Sequence, residues 1–185
     1  MWIGSTIQGL LNTCFLGKKD GCDKYCFYYQ SNQGVCNYSQ NGINENNSYG
    51  NMLESVYYNI GMAGSYNLSS SNFYAKEITK QTSENTSIGL MYASDFGYAI
   101  SSYTGSLSYS SANSQMVNNW LFGQSYEWTM TAYSSSSPVR VCIDGGLRGY
   151  SAYFGYAVRP VLYIKSNVNK LSGDGTMASP YVLGM

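Results

Sequence analysis

The chain has no histidine among its 185 residues, and charged side chains are scarce, with ten basic and ten acidic residues making up 11% of it. Without histidine, the commonest general base and the commonest metal ligand are both missing, so any catalysis would fall to Asp, Glu, Lys, Tyr or Cys. A net charge of zero gives no electrostatic reason to expect nucleic acid as a partner or a charged membrane surface as an anchor. No stretch approaches 18 consecutive apolar residues, and the opening MWIGSTIQGLLNTCFLG has neither the basic start nor the long apolar centre of a secretory signal. Direct membrane insertion is therefore not expected of this segment. Three prolines are too few to punctuate the chain, which leaves turn-making to glycine and asparagine.

Small polar and aromatic residues are abundant instead. Together 28 Ser, 20 Tyr, 20 Gly and 17 Asn fill 85 of 185 positions. Tyrosine offers a large, rigid contact area at low entropic cost, and Ser, Gly and Asn add adaptable hydrogen bonding, so the mixture resembles that of a binding surface. A tyrosine-rich β domain without a ligand is the competing reading, because tyrosine also suits half-buried strands. Of the five cysteines, Cys14, Cys22, Cys26 and Cys36 crowd the first 36 residues, where CDKYC matches neither a redox pair nor a standard zinc ribbon. One or two disulfides in an exported protein would account for them, leaving Cys142 as a buried thiol in a strand.

Periodicity outlines a β-rich domain with one or two short helices, an α+β arrangement over residues 1–185. STIQGLLNTCFL spaces Ile7, Leu10, Leu11, Cys14 and Phe15 by threes and fours, as an amphipathic helix docked on a sheet would. Residues 18–50 read as a polar excursion, and 101–115 as an exposed loop. SVYYNIGMAGS reads as a strand and SSSNFYAKEITKQT as a serine-capped helical turn, while Ile88, Leu90 and Met91 run into a turn at Ser94 and Asp95. In NNWLFGQSYEWTMTAY, Trp120 opens an apolar cluster, and Tyr126, Trp128 and Met130 alternate with polar residues as in a half-buried strand. Val139, Val141 and Ile143 share a face before the hairpin turn Asp144-Gly145-Gly146. GYAVRPVLYIKSNV is expected to be the return strand, SGDGT a glycine turn and PYVL a short edge strand.

In that return strand Arg159 and Pro160 each disfavour a central position, since a buried guanidinium needs an acceptor and proline donates no ladder hydrogen bond. Arg159 is expected to turn inward onto carbonyls or onto an acid such as Asp95 or Glu127, with Pro160 at a bulge or edge. Trp120 and Trp128 complete this structural set.

Four segments carry a family resemblance: IGLMYASDFGYA (88–99), NNWLFGQSYEWTMTAYSSSS (118–137), AVRPVLYIKSNV (157–168) and SGDGTMASPYVL (172–183). They resemble the C-terminal domains of gut-bacterial and phage surface proteins that end in G-V-R-P-V-L-Y-L-K-S-N-V, a G-D-G turn and P-Y. That group is similar to the C-type-lectin-like fold of formylglycine-generating-enzyme-type domains and of variable proteins diversified by retroelements. The likeness covers residues 88–183. Ala157 departs from the usual Gly, and the cysteine-rich residues 1–50 diverge from the family.

The resemblance implies a domain on a cell or virion surface, pilin-associated in some members, with a ligand face between the Trp128 and Val158 strands. That face would comprise Tyr133, Ser134, Ser135, Ser136, Ser137, Arg140, Asp144, Leu147, Arg148, Tyr150, Tyr153 and Tyr156. Sheet packing for Tyr153 and Tyr156, and a plain solvated loop for the serines, are the alternatives. The expected partner is a protein or glycan on another cell or particle; the competing function is a structural tip or coat component packing as a homo-oligomer. No cofactor is expected. Calcium, which serves sugar-binding C-type lectins, needs clustered oxygen ligands, and the Glu-Pro-Asn and Trp-Asn-Asp type motifs are missing. Cys142, lacking any histidine partner, does not make an enzyme.

Overall fold

The computed structural model describes residues 6–13, 16, 51–65, 68–79, 82–100 and 119–185. The four N-terminal cysteines, with their expected disulfides, and the polar stretches 17–50 and 101–118 lie outside the described residues. The described elements form a mixed α+β arrangement, mostly short strands with a few short helices.

A helix, α1 (Thr6–Asn12), packs on strand β3 (Ile88–Leu90). Its last residue bonds the backbone of β3 as a neighbouring strand would: Asn12 Nδ2 donates to the Ile88 carbonyl at 2.9 Å, and Asn12 Oδ1 accepts from the Ile88 N–H at 3.0 Å. Strands β1 (Val56–Ile60) and β2 (Thr82–Thr86) pair antiparallel on either side of α2 (Ser70–Ile78). The Ser69 hydroxyl caps α2 by accepting from the Asn72 N–H at 3.3 Å, and the helix buries Phe73 and Glu77, one turn apart.

Where sequence predicted a turn after Met91 there is a short helix, α3 (Ala93–Tyr98). The Asp95 carboxylate accepts from the Tyr92 N–H at 2.8 Å, and Phe96 is fully buried, so cap and core together outweigh two poor helix formers, Ser94 and Gly97.

The main sheet has the order β6 (Leu147–Gly149), β5 (Pro138–Val141), β4 (Glu127–Ala132), β7 (Ala157–Val158). β4 is buried at every position, not half-buried as its alternation implied. Trp128 and Met130 enter one core with Leu53, Ile60, Ile88 and Leu90. The opposite face meets a second core of Phe73, Met91, Phe96, Val139, Val141 and Leu147. The polar residues on β4 survive burial because they are bonded: Thr129 Oγ1 donates to the Val139 carbonyl at 2.8 Å, and Thr131 Oγ1 bonds Glu77 and accepts from the Ala93 N–H.

The return strand is broken in two. β7 runs parallel to β4, and after Arg159 the chain crosses to β8 (Pro160–Leu162), antiparallel to β3. Pro160 is the first residue of β8, a position where a missing N–H is tolerated. Arg159 bridges the switch with a bidentate pair onto Glu127, Nε to Oε2 at 3.1 Å and Nη2 to Oε1 at 2.9 Å. Gly123 makes room for the pair, since a Cβ there would meet Glu127 Oε1 at 2.3 Å.

Finally, β9 (Asn169–Ser172) and β10 (Val182–Gly184) form an antiparallel hairpin. Gly173 begins its loop in the left-handed region, φ +87°, where a Cβ would strike the Pro180 carbonyl. Two apolar assignments fail: Trp120 is 77% exposed, and Ile143 sits exposed in the β5–β6 turn. The anchor beside Trp120 is Asn119, buried, donating to the Phe96 carbonyl and accepting from the Leu121 N–H at 2.8 Å. Among the described residues no helix is long and apolar enough to cross a membrane.

Candidate functional site

Cross-strand register decides which of the expected ligand residues meet. Trp128 pairs with Arg140, and Arg140 with Arg148, so all three side chains leave the same face of the main sheet. Tyr126 and Tyr150, two residues along their strands, share that face. The segment 153–156 folds back over it, tied by Trp128 Nε1 donating to the Phe154 carbonyl at 3.2 Å.

A cage of rings around a cation results. The Arg140 guanidinium carbon lies 3.9 Å from the Tyr150 ring centroid, 4.2 Å from Tyr126 and 4.7 Å from Tyr156. Arg140 is only 4% exposed, and its Nε has no hydrogen-bond partner among the described residues. Three electron-rich ring faces take the place of the missing acceptor, an interaction of roughly 2 kcal/mol when desolvated. The rings also hold one another: Trp128 and Tyr156 centroids are 4.9 Å apart, Tyr150 and Phe154 4.9 Å. Outermost, Tyr153 stacks on Phe154 at 4.3 Å and 28° and remains 81% exposed. Tyr150 is also exposed, and Tyr156 is half-buried.

Several expected ligand residues are elsewhere. Leu147 is fully buried in the core, and Arg140 lies beneath the platform, so neither can face a ligand. Tyr133 continues the opposite face of β4; it packs on the core that contains Val139, and its ring fills the space above Gly149. Ser134, Ser135, Ser136 and Ser137 make the tight β4–β5 loop, in which the N–H groups of Tyr133 and Ser134 both donate to the Ser137 carbonyl. Asp144 closes the β5–β6 turn, accepting from the Gly146 N–H at 3.2 Å and lying 3.7 Å from Arg148 Nη2 at the surface. The residues brought together are therefore Arg148, Tyr150, Tyr153 and Tyr156 over Arg140. Tyr126 and Phe154 complete the assembly, though sequence reasoning did not include them; the Tyr126/Trp128 alternation was the available signal.

Cys142 lies just past β5, buried, and burial pushes its thiol up against the opposing pull of Arg140 and Arg148. A protonated, enclosed thiol is a poor nucleophile. Among the described residues no group of three or more Cys, Asp or Glu side chains could hold a metal ion. No family model, curated protein or solved structure matches the chain.

Proposed function

We propose that this domain is a surface-displayed binding module of C-type-lectin-like type, which recognises a protein or glycan through the platform of Tyr150, Tyr153 and Tyr156 with Arg148 at its rim. The exposed, stacked ring of Tyr153 carries this reading. A tyrosine ring stacked on one neighbour and left mostly in water keeps its other face open for a partner, and such rings are what hot spots and sugar-stacking surfaces use. Arg140 supports the platform from below, since its rings are oriented before any ligand arrives and less entropy is lost on binding.

In a diversified gene, the variable positions would be those that project, Arg148, Tyr150, Tyr153 and Tyr156, while Arg140 and Leu147 would stay constant. The experiment is a binding screen of the fluorescent domain on glycan arrays and on bacterial and mammalian cells, with Tyr153→Ala in parallel. Truncating a hot-spot tyrosine should weaken binding by about tenfold or more. Equal binding by the variant would remove the platform from consideration.

A second reading, a coat or pilus-tip component packing against its own copies, is favoured by a separate observation. Leu171, Met177, Tyr181 and Val182 of the C-terminal hairpin are exposed, next to an apolar cleft of about 470 Å³ lined by Leu53, Leu162 and Ile164.

A further inference from the structure

A second concavity, built from different residues, opens between β1 and the two helices α2 and α3, with a volume of about 300 Å³. Five tyrosines line it: Tyr57, Tyr58, Tyr74, Tyr92 and Tyr163. Two have their hydroxyls committed to backbone carbonyls, Tyr58 to Val161 at 3.2 Å and Tyr92 to Asn59 at 2.8 Å, so they present ring surface and not hydrogen-bonding groups. The charged lining groups are Glu77 and Asp95, and no basic side chain lines it among the described residues.

Glu77 is the unusual member. It is 3% exposed, and one oxygen is satisfied by the Thr131 hydroxyl and the Ser94 N–H, yet Oε2 has no partner among the described residues. A buried carboxylate oxygen left unbonded costs about as much as a lost hydrogen bond to a charged group, so its presence in a cavity wall calls for a donor. Burial holds its carboxyl above the ordinary range, as expected of an acid that lacks its counter-ion.

We propose that this cavity binds a primary alkylammonium group, the chemistry of a lysine side chain, with the tyrosine rings along its stem and Glu77 and Asp95 accepting its N–H donors. The volume sits at the low end of ligand sites, enough for one side-chain head and stem but not for a folded surface. Rings attract the cation and cover the methylenes; the two carboxylates supply charge, and Oε2 supplies the acceptor that a quaternary ammonium, having no N–H, could not use.

The test is an NMR titration of the intact domain with three probes: N-acetyl-lysine methylamide, its neutral isostere N-acetyl-norleucine methylamide, and choline. A ligand of this size is expected to bind with a dissociation constant on the order of 1 mM. The norleucine probe and choline should each be about tenfold weaker than the lysine probe. Glu77→Gln should weaken the lysine probe about tenfold. Tyr57 is exposed, so Tyr57→Leu should leave the fold intact and still cost about threefold. Tyr153→Ala should leave this titration unchanged, which separates this site from the platform. Norleucine binding as tightly as lysine, choline binding as tightly as lysine, or an unaffected Tyr57→Leu would each overturn the assignment.

Discussion

Glu127 is nearly sealed from water, and Arg159 gives it two hydrogen bonds and its counter-charge from a position that is itself about one-third exposed. The two are not equivalent targets. Removing the arginine leaves a buried anion uncompensated, so Arg159→Ala is predicted to cost about 3 kcal/mol in chemical denaturation, while Arg159→Lys, keeping the charge but losing the fork, should cost less. A loss below about 0.5 kcal/mol for alanine would show that the pair does not lock the strand switch. Glu77 carries a prediction in pH. Its folded-state proton affinity is raised above the ordinary 4.5, so below that pH both folded and unfolded carboxyls are protonated and folding is unaffected. As pH rises past 4.5 the unfolded chain ionises first, and stability falls until the folded carboxyl ionises too. Urea midpoints measured from pH 4 to 8 should therefore decline more in wild type than in Glu77→Gln; parallel profiles would contradict the burial argument. The sequence allowed either Asp95 or Glu127 as the partner of Arg159. The choice depends on α3, which recruits Asp95 as its cap at a place where the sequence pattern implies only a turn.

Period and caps, more than burial, decide which elements are legible: β5 is readable although it is dry, while the polar, partly exposed β2 carries no apolar period. α1, α2, β1 and β5 announced themselves by period and caps. β4 is legible as a strand but not as a fully buried one, because alternating Trp128/Met130 with Thr129/Thr131 looks half-solvated until Glu77 and the Val139 carbonyl are seen to satisfy the threonines. The return strand misled for a related reason: one apolar run serves two sheets, and periodicity carries no mark of the crossing at Arg159. No local pattern shows Asn12 completing the edge of β3 or Asn119 holding the Phe96 carbonyl, since both act across the fold. The C-terminal hairpin, by contrast, was readable from its glycines, and its exposed Leu171, Tyr181 and Val182 define the place where copies would pack. Sedimentation velocity at rising concentration tests that role. A chain serving as a coat component should form discrete oligomers that Leu171→Lys and Val182→Lys dissolve; a monomer at all concentrations would favour the binding module alone.

At the scale of the whole molecule, the two cores on either side of β4 hold one face of the main sheet rigid, and the segment 153–156 lies over that face. Part of the candidate site follows from sequence, because the face implied by the family resemblance includes Tyr150, Tyr153 and Tyr156, which the fold gathers around Phe154. The rest needs the fold: strand parity turns Tyr133 and Leu147 to the core side of the sheet, while Arg140 shares the platform's face and is buried because the rings cover it. Ligand binding through this platform is the central proposal, and Tyr153 is its most exposed member. Since the ring contributes little burial, Tyr153→Ala should unfold within about 0.5 kcal/mol of wild type. The most direct test is therefore the affinity of wild type and Tyr153→Ala for the same glycan or cell-surface target from the screen. A loss of about tenfold or more at unchanged stability is the predicted result; full affinity in the variant would contradict the account.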